Sequence, residues 1–335
     1  MATAVDVHAH LLPPGLFDAA RSGTLRALGV EAGEDGLTTV LTAGADRLGP
    51  AGPDMIDPTR RLRWMDERSI AEQWVSPWLD LFTWHRFDPQ NGRLWAAAVN
   101  GALAEAARDS GGRLRPVPFV DVSAGAAAAA DDVTAAAEQL GPPAVMVSTH
   151  PAGVSSAADG SLAPLWERLA DLGLPVLLHP PGNGPAQAFT PPVLQNVAGR
   201  IIDTSAAVLQ MMADGLFSRL PGLRVIVVHG GGFLPYQAFR LDGLVRSGLL
   251  ARTGMAEPPS AVLRWLFYDT VALDAPSLEF LVRRVGAEQV LLGSDVPFPI
   301  GDPDPVGTLR TAGLGEETEF KILSYNARSL AAGQR

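Results

Sequence analysis

Short unbroken apolar runs alternate with amphipathic stretches along most of the chain, and the alternation predicts strands and helices in succession. Apolar runs at 5–10, 70–76, 114–120, 144–148, 175–178, 224–228, 266–273 and 290–293 read as strands. Between them, periodic patterns at 60–67, 95–110, 124–140, 162–172, 201–219, 234–248 and 277–285 read as helices, the fifth closed by Pro221-Gly222. One interval breaks the rhythm. Residues 11–60 are rich in Gly and Pro and show only short helical pieces, such as 16–27. An excursion of that length inside a compact fold reads as an insertion or lid.

Strands buried on both faces lose the polar alternation of an exposed sheet, so these runs predict a parallel sheet covered by helices. Eight such units predict an α/β fold closed as a distorted (β/α)8 TIM barrel, one domain over 1–335 with the long insertion after its first strand. The open doubly wound alternative needs a Gly-rich phosphate turn after that strand. His8-Ala9-His10 stands there instead.

Composition narrows the function. A formal charge of -10 supplies no basic face for nucleic acid, and a small molecule is the expected partner. Cysteine is absent, which removes disulfides, thiolate metal sites and thiol nucleophiles. No basic leader precedes an apolar run, and no stretch approaches the roughly 20 apolar residues of a membrane span, so a cytoplasmic protein without membrane attachment is expected. Lys321 is the only lysine, in a predicted terminal helix, which leaves almost no candidate for a Schiff base or a lysine bridging two metals.

The chemistry gathers where strands stop. His8 and His10, two residues apart in a strand, point to one face. Val176-Leu177-Leu178-His179, Val225-Ile226-Val227-Val228-His229 and Leu291-Leu292-Gly293-Ser294-Asp295 end in the same way. Catalytic groups of an α/β barrel sit at the C-terminal ends of its strands. Three imidazoles and a carboxylate make a nitrogen and oxygen site for one divalent ion, Zn²⁺ first and Mn²⁺ or Fe²⁺ next. The expected ligands are His8, His10, His179 and Asp295. His229, beside Gly230-Gly231-Gly232, is assigned to proton transfer together with Asp295, the alternative being a fifth ligand. His150 ends the fourth strand, where reaching the site and satisfying a backbone carbonyl weigh equally. His85 reads as surface or lid.

These residues resemble the amidohydrolase superfamily, in particular its branch of metal-dependent, non-oxidative decarboxylases. The resemblance is carried by Asp6-Val7-His8-Ala9-His10 with Leu12-Pro13, Asp57-Pro58, Arg63-Trp64-Met65-Asp66, Ser148-Thr149-His150, Leu178-His179-Pro180, residues 215–221 before Val228-His229-Gly230-Gly231-Gly232, and Gly293-Ser294-Asp295-Val296-Pro297-Phe298-Pro299. It implies a distorted barrel holding one metal on the residues named above, with His229 acting beside it. It also implies a homodimer or higher homo-oligomer, and substrate-carboxylate arginines from the first long loop and, across a dimer interface, from the region after the Gly-rich turn, for which Arg47 and Arg246 or Arg252 are the counterparts. His150 and Phe298 complete the expected substrate contacts. The activity so implied is decarboxylation of an unsaturated or aromatic carboxylic acid. Metal-dependent hydrolysis or hydration is the second reading, and a barrel that keeps its ion without catalysis the third.

Overall fold

The computed structural model of the protein describes residues 3–35, 38–83, 86–182, 184, 189, 191, 193–250 and 258–333. Eleven strands are present among them: β1 (Ala4–Leu11), β2 (Val30–Asp35), β3 (Thr38–Ala43), β4 (Asp46–Ala51), β5 (Ile70–Pro77), β6 (Leu114–Pro116), β7 (Val145–Ser148), β8 (Val176–His179), β9 (Val225–Val227), β10 (Phe267–Asp269) and β11 (Val290–Leu291). Parallel ladders join β1-β5-β6 and β7-β8-β9-β10-β11. Two seams close these arcs into a ring of eight. At one, Phe119 bridges Met146, with Met146 N–H donating to Pro118 O and Val120 N–H to Met146 O. At the other, Ala9 bridges Val296, while Val7 N–H donates to Leu292 O and His10 N–H to Val296 O. The distortion has a local cause. Pro116 and Pro118 carry no N–H, so the ladder out of β6 thins to isolated bonds.

The barrel interior is filled by Val5, Val7, Trp74, Met146, Leu177, Ile226 and Leu291, all buried. Their strand neighbours Val75, Val147, Leu178, Val227 and Val290 face outward onto the helices. In β1 this alternation is interrupted. Asp6 pairs with Gln73 and Ala9 with Val75, so β1 advances three residues where β5 advances two. That extra residue reverses the side-chain parity, which lets Val5 and Val7 fill the interior below while His8 and His10 face the mouth above. A buried polar ladder fixes the irregularity: Asp6 Oδ1 accepts from His8 N–H, its Oδ2 accepts from Gln73 and Ser294, and Arg61 donates to Gln73 Oε1 and His10 O. Burial lowers the Arg61 pKa to about 10, while Asp6 holds it charged.

The excursion after β1 differs from the helical pieces read in the sequence. It forms the helix Pro14–Arg21 and then an antiparallel meander, β2-β3-β4, whose Val30, Leu41 and Leu48 pack with Leu16 and Phe17 against Trp95 and Val99 of the helix Pro89–Arg108. Glycines and polar residues in these strands mask the period-2 signal, and their partners lie within the excursion itself. The expected helix 201–219 is two, Arg200–Ala213 and Leu216–Arg219, parted by Gly215 at φ 71°. Lys321 is remote from the barrel mouth and pairs with Glu288 and Glu317. No helix among the described residues is long and apolar enough to cross a membrane.

Candidate metal centre

His8 and His10 rise from β1, His179 ends β8, His229 follows β9 and Asp295 follows β11. The ring centroids of the four histidines approach to 4.8–5.6 Å in the pairs that touch. Each of the first three imidazoles uses its Nδ1–H away from the centre. His8 Nδ1 donates to Asp269 Oδ2 at 2.6 Å, His10 Nδ1 faces Ser76 Oγ at 3.1 Å and Pro77 O at 3.4 Å, and His179 Nδ1 donates to Pro180 O at 2.9 Å. Acceptors at Nδ1 fix the proton there and leave a lone pair on each Nε2.

Those lone pairs converge. His8 Nε2 and His10 Nε2 lie 3.2 Å apart, and Asp295 Oδ1 is 3.2 Å from His10 Nε2 and 3.5 Å from His8 Nε2. His179 Nε2 and Asp295 Oδ1 are buried with no hydrogen-bond partner. One ligand atom from each of His8, His179, His229 and Asp295 falls within a group no wider than 4.8 Å, so His229 enters the compact group where the sequence expects His10, although His10 Nε2 is itself 3.2 Å from His8 Nε2 and from Asp295 Oδ1. Facing acceptors with no shared proton, away from water, are unfavourable by themselves. A divalent cation satisfies all of them at once, so the donor set fits the ion that the sequence implies.

Electrostatics agree at His10 and His179 and differ at His8, where burial would lower the imidazole but Asp295 and the Asp269 hydrogen bond raise it. Burial pushes His10 down and, aided by its imidazole neighbours, His179 well below the usual imidazole range, which keeps both rings neutral and able to ligate. Burial opposes charge on Asp295, but His8, His10 and His229 hold its carboxyl well below the ordinary range.

His229 is half-buried, with Nε2 3.6 Å from Asp295 Oδ2 and Nδ1 lacking a hydrogen-bond partner. Its backbone is left-handed, φ 57°, and so is that of Asp295, φ 58°. Asp269 holds this turn. Its carboxylate accepts from His229 N–H at 3.0 Å, Gly230 N–H at 2.7 Å and Val271 N–H at 3.1 Å besides His8. Gly293 makes room for it, since a Cβ there would lie 2.8 Å from Asp269 Cβ and 3.2 Å from His8 Cβ. Asp269 escaped the sequence reading because it falls inside the run 266–273. The strand stops at it, the same apolar-run-to-polar-end signal that marked the other residues. Replacing Asp269 with Asn puts an amide donor where four N–H groups converge, and should weaken metal affinity about 10–100-fold, read by competition with a chelating dye.

A cavity of about 710 Å³ opens beside the cluster, and His179, His229 and Asp295 line it with Trp78, Asp80 and Arg200. Of the expected substrate contacts, Phe298 is in its wall, with its ring 5.1 Å from that of His10. Arg47 is exposed on β4, the edge of the meander, and Arg246 is exposed in the last turn of the helix Phe239–Arg246. Neither lines the cavity of its own chain, and the place expected of Arg246 is the site of a partner subunit. His150 lines a separate cavity of about 380 Å³ with Phe82, Phe119 and Asp121. There Thr149 Oγ1 meets its Nδ1 at 3.1 Å. Arg252 and His85 fall outside the described residues. Among the described residues, the arginine that does reach the cavity is Arg200, at the start of the helix Arg200–Ala213, which no motif in the sequence singled out.

Comparison with known proteins places this geometry. The chain is 30 % identical over 192 residues to 2-amino-3-carboxymuconate-6-semialdehyde decarboxylase of Dictyostelium discoideum, covering 56 % of this chain and 53 % of that one. It is 26 % identical over 145 residues to 2-keto-4-carboxy-3-hexenedioate hydratase of a Sphingobium species, covering 42 % and 39 %. The matched stretch thus spans about half the length of such relatives, or less. Among solved structures, 5-carboxyvanillate decarboxylase from Novosphingobium aromaticivorans, in complex with manganese and 4-hydroxy-3-methoxy-5-nitrobenzoic acid, superposes with a TM-score of 0.78 at 18 % identity, over 98 % of this chain and 96 % of that one. Its fold is therefore the same distorted barrel. The sequence profile of the Amidohydrolase family matches residues 5–330, nearly the whole length, and the chain belongs to the amidohydrolase family.

Proposed function

We propose that the protein is a metal-dependent carboxy-lyase acting on an aromatic or unsaturated carboxylic acid. The observation that carries the reading is the convergence of three Nε2 lone pairs and the Asp295 carboxylate at one end of a cavity that also holds Arg200. His8, His10, His179 and Asp295 would hold the ion. Imidazole with carboxylate suits Zn²⁺, and Mn²⁺ is the next candidate. The ion, when bound, supplies a Lewis acid that anchors the anionic substrate.

The rest falls to the chain. Arg200 spends N–H groups on Asn196 Oδ1 at 3.0 Å and Pro180 O at 3.1 Å, and a guanidinium has five, so others can grip the substrate. Asp80 lies across from it, where burial raises the carboxyl and Arg200 opposes that rise. In the reaction the bond between the substrate and its carboxylate carbon breaks, carbon dioxide leaves, and the electron pair stays on the substrate carbon. His229 delivers the proton that fills that carbon, and Asp295, 3.6 Å from its Nε2, stabilises the charged imidazole.

Similarity to the hydratase favours one second reading, addition of water to a double bond at the same cluster. Mass analysis of products separates the two. Incubating the metal-loaded protein with hydroxybenzoic and enoic acids should give products lighter by carbon dioxide; products heavier by water would replace the proposal. Arg200→Ala should raise KM about tenfold to hundredfold, the worth of a charge-assisted hydrogen bond, in a steady-state assay of carbon dioxide release.

A further inference from the structure

The cavity is larger than the chemistry at its polar end requires. A space of roughly 150 Å³ holds benzene, whereas this cavity measures about 710 Å³. Its charged groups, Asp80, Arg200 and Asp295 with the two histidines, are shared with the cluster just described. The remainder forms an arm bounded by Val197, Ile201, Tyr236, Leu273, Phe280 and Leu281, drawn from the helices after β8, β9 and β10 and the turn ending β10. Among the described residues, Asn196, Ser277 and the Tyr236 hydroxyl are the polar side-chain groups in that part of the wall, and no cation lines it.

The wall is built. Tyr236 stacks on Phe280 with ring centroids 4.1 Å apart and planes 22° from parallel, and the Arg284 guanidinium covers Phe280 at 5.3 Å. Large apolar side chains stay accessible around it: Tyr236 is 64 % exposed, Val197 57 % and Leu273 45 %. Single exposed aliphatics are ordinary, but several around one concavity continuous with a reactive centre mark a binding surface.

We infer that the substrate is a carboxylic acid bearing an extended uncharged apolar substituent, which lies along this arm while its carboxylate lies at the cluster. The inference rests on the carboxy-lyase reading for the orientation of the acid.

The test uses the full chain loaded with Zn²⁺. Values of kcat/KM for carbon dioxide release are measured for 2-hydroxybenzoates carrying n-alkyl groups of increasing length opposite the carboxylate. In parallel, dissociation constants are measured for straight-chain alkanoic acids, which bind without reacting. Both series should improve about fourfold for each added methylene until the arm is filled. Val197→Asp and Leu273→Asp should flatten both slopes. These positions are accessible, and the left-handed backbone of Leu273, φ 68°, accepts Asp more readily than Leu. A flat slope in the unmodified protein overturns the inference. So does a slope that persists in both variants, which is nonspecific partitioning, or a change of oligomeric state by sedimentation in both, which assigns the surface to a second copy of the chain. Tighter binding with length but no carbon dioxide from any acid keeps the arm and removes the carboxy-lyase reading; turnover without length dependence does the reverse.

Discussion

Replacing His179 with Ala should strip the protein of its ion and abolish carbon dioxide release. The ring is held by Pro180 O at Nδ1, and its Nε2 is buried with no other partner in the chain. Loss of an outer partner of a ligand costs about 10–100-fold in affinity or activity, and removal of a ligand itself should exceed that. Elemental analysis of the purified variant and a carbon dioxide assay check the two parts together. Thermal unfolding adds a third readout. Ion binding to the native state alone contributes about 2.7 kcal/mol when free ion is one hundred times Kd. The unmodified protein should lose that increment with chelator, whereas His179→Ala should show none to lose. An ion retained at full occupancy in the variant would place the binding site elsewhere.

The second large effect belongs to His229. Its backbone is left-handed, so alanine would mix strain with chemistry; Asn tolerates that conformation and transfers no proton. His229→Asn should lower kcat by about 10²–10⁴-fold, the usual contribution of a positioned acid or base, while bound metal stays near that of the unmodified protein. Single-turnover carbon dioxide release alongside metal content reads both. His229 shares the 4.8 Å group with His8, His179 and Asp295. Loss of the ion in this variant would therefore make it a ligand, and the proton would need another carrier.

The location of the cluster is legible in the sequence. Parallel strands of a barrel all emerge at one face, so a polar residue that ends an apolar run is carried there by the fold itself, whatever its distance in the chain. His8, His10, His179, His229 and Asp295 each ended such a run, and the structure gathers all five at the mouth. Their protonation pattern was not legible. It depends on Asp269, Ser76 and Pro180, which meet the rings only across strands.

Side chains outside the strands followed no such rule. The resemblance points to Arg47 and, across a dimer interface, Arg246; in the structure Arg47 is exposed on the edge of the meander and Arg246 at a helix end, and neither lines the cavity of its own chain. Arg200 reaches the cavity because its helix begins over the mouth after β8, a position set by how that helix docks on the barrel. His150 ends its strand like the others and still faces a different cavity, with its backbone N–H drawn to Ser148 Oγ and its ring to Thr149. The sequence by itself thus determined the barrel and the residues at its strand ends, because periodicity and burial are local properties of a strand. Tertiary structure alone decided the partners of Nδ1 on His8, His10 and His179, the arginine among the described residues that meets the cavity and the cavity's apolar arm, because each arises where elements distant in the chain pack together.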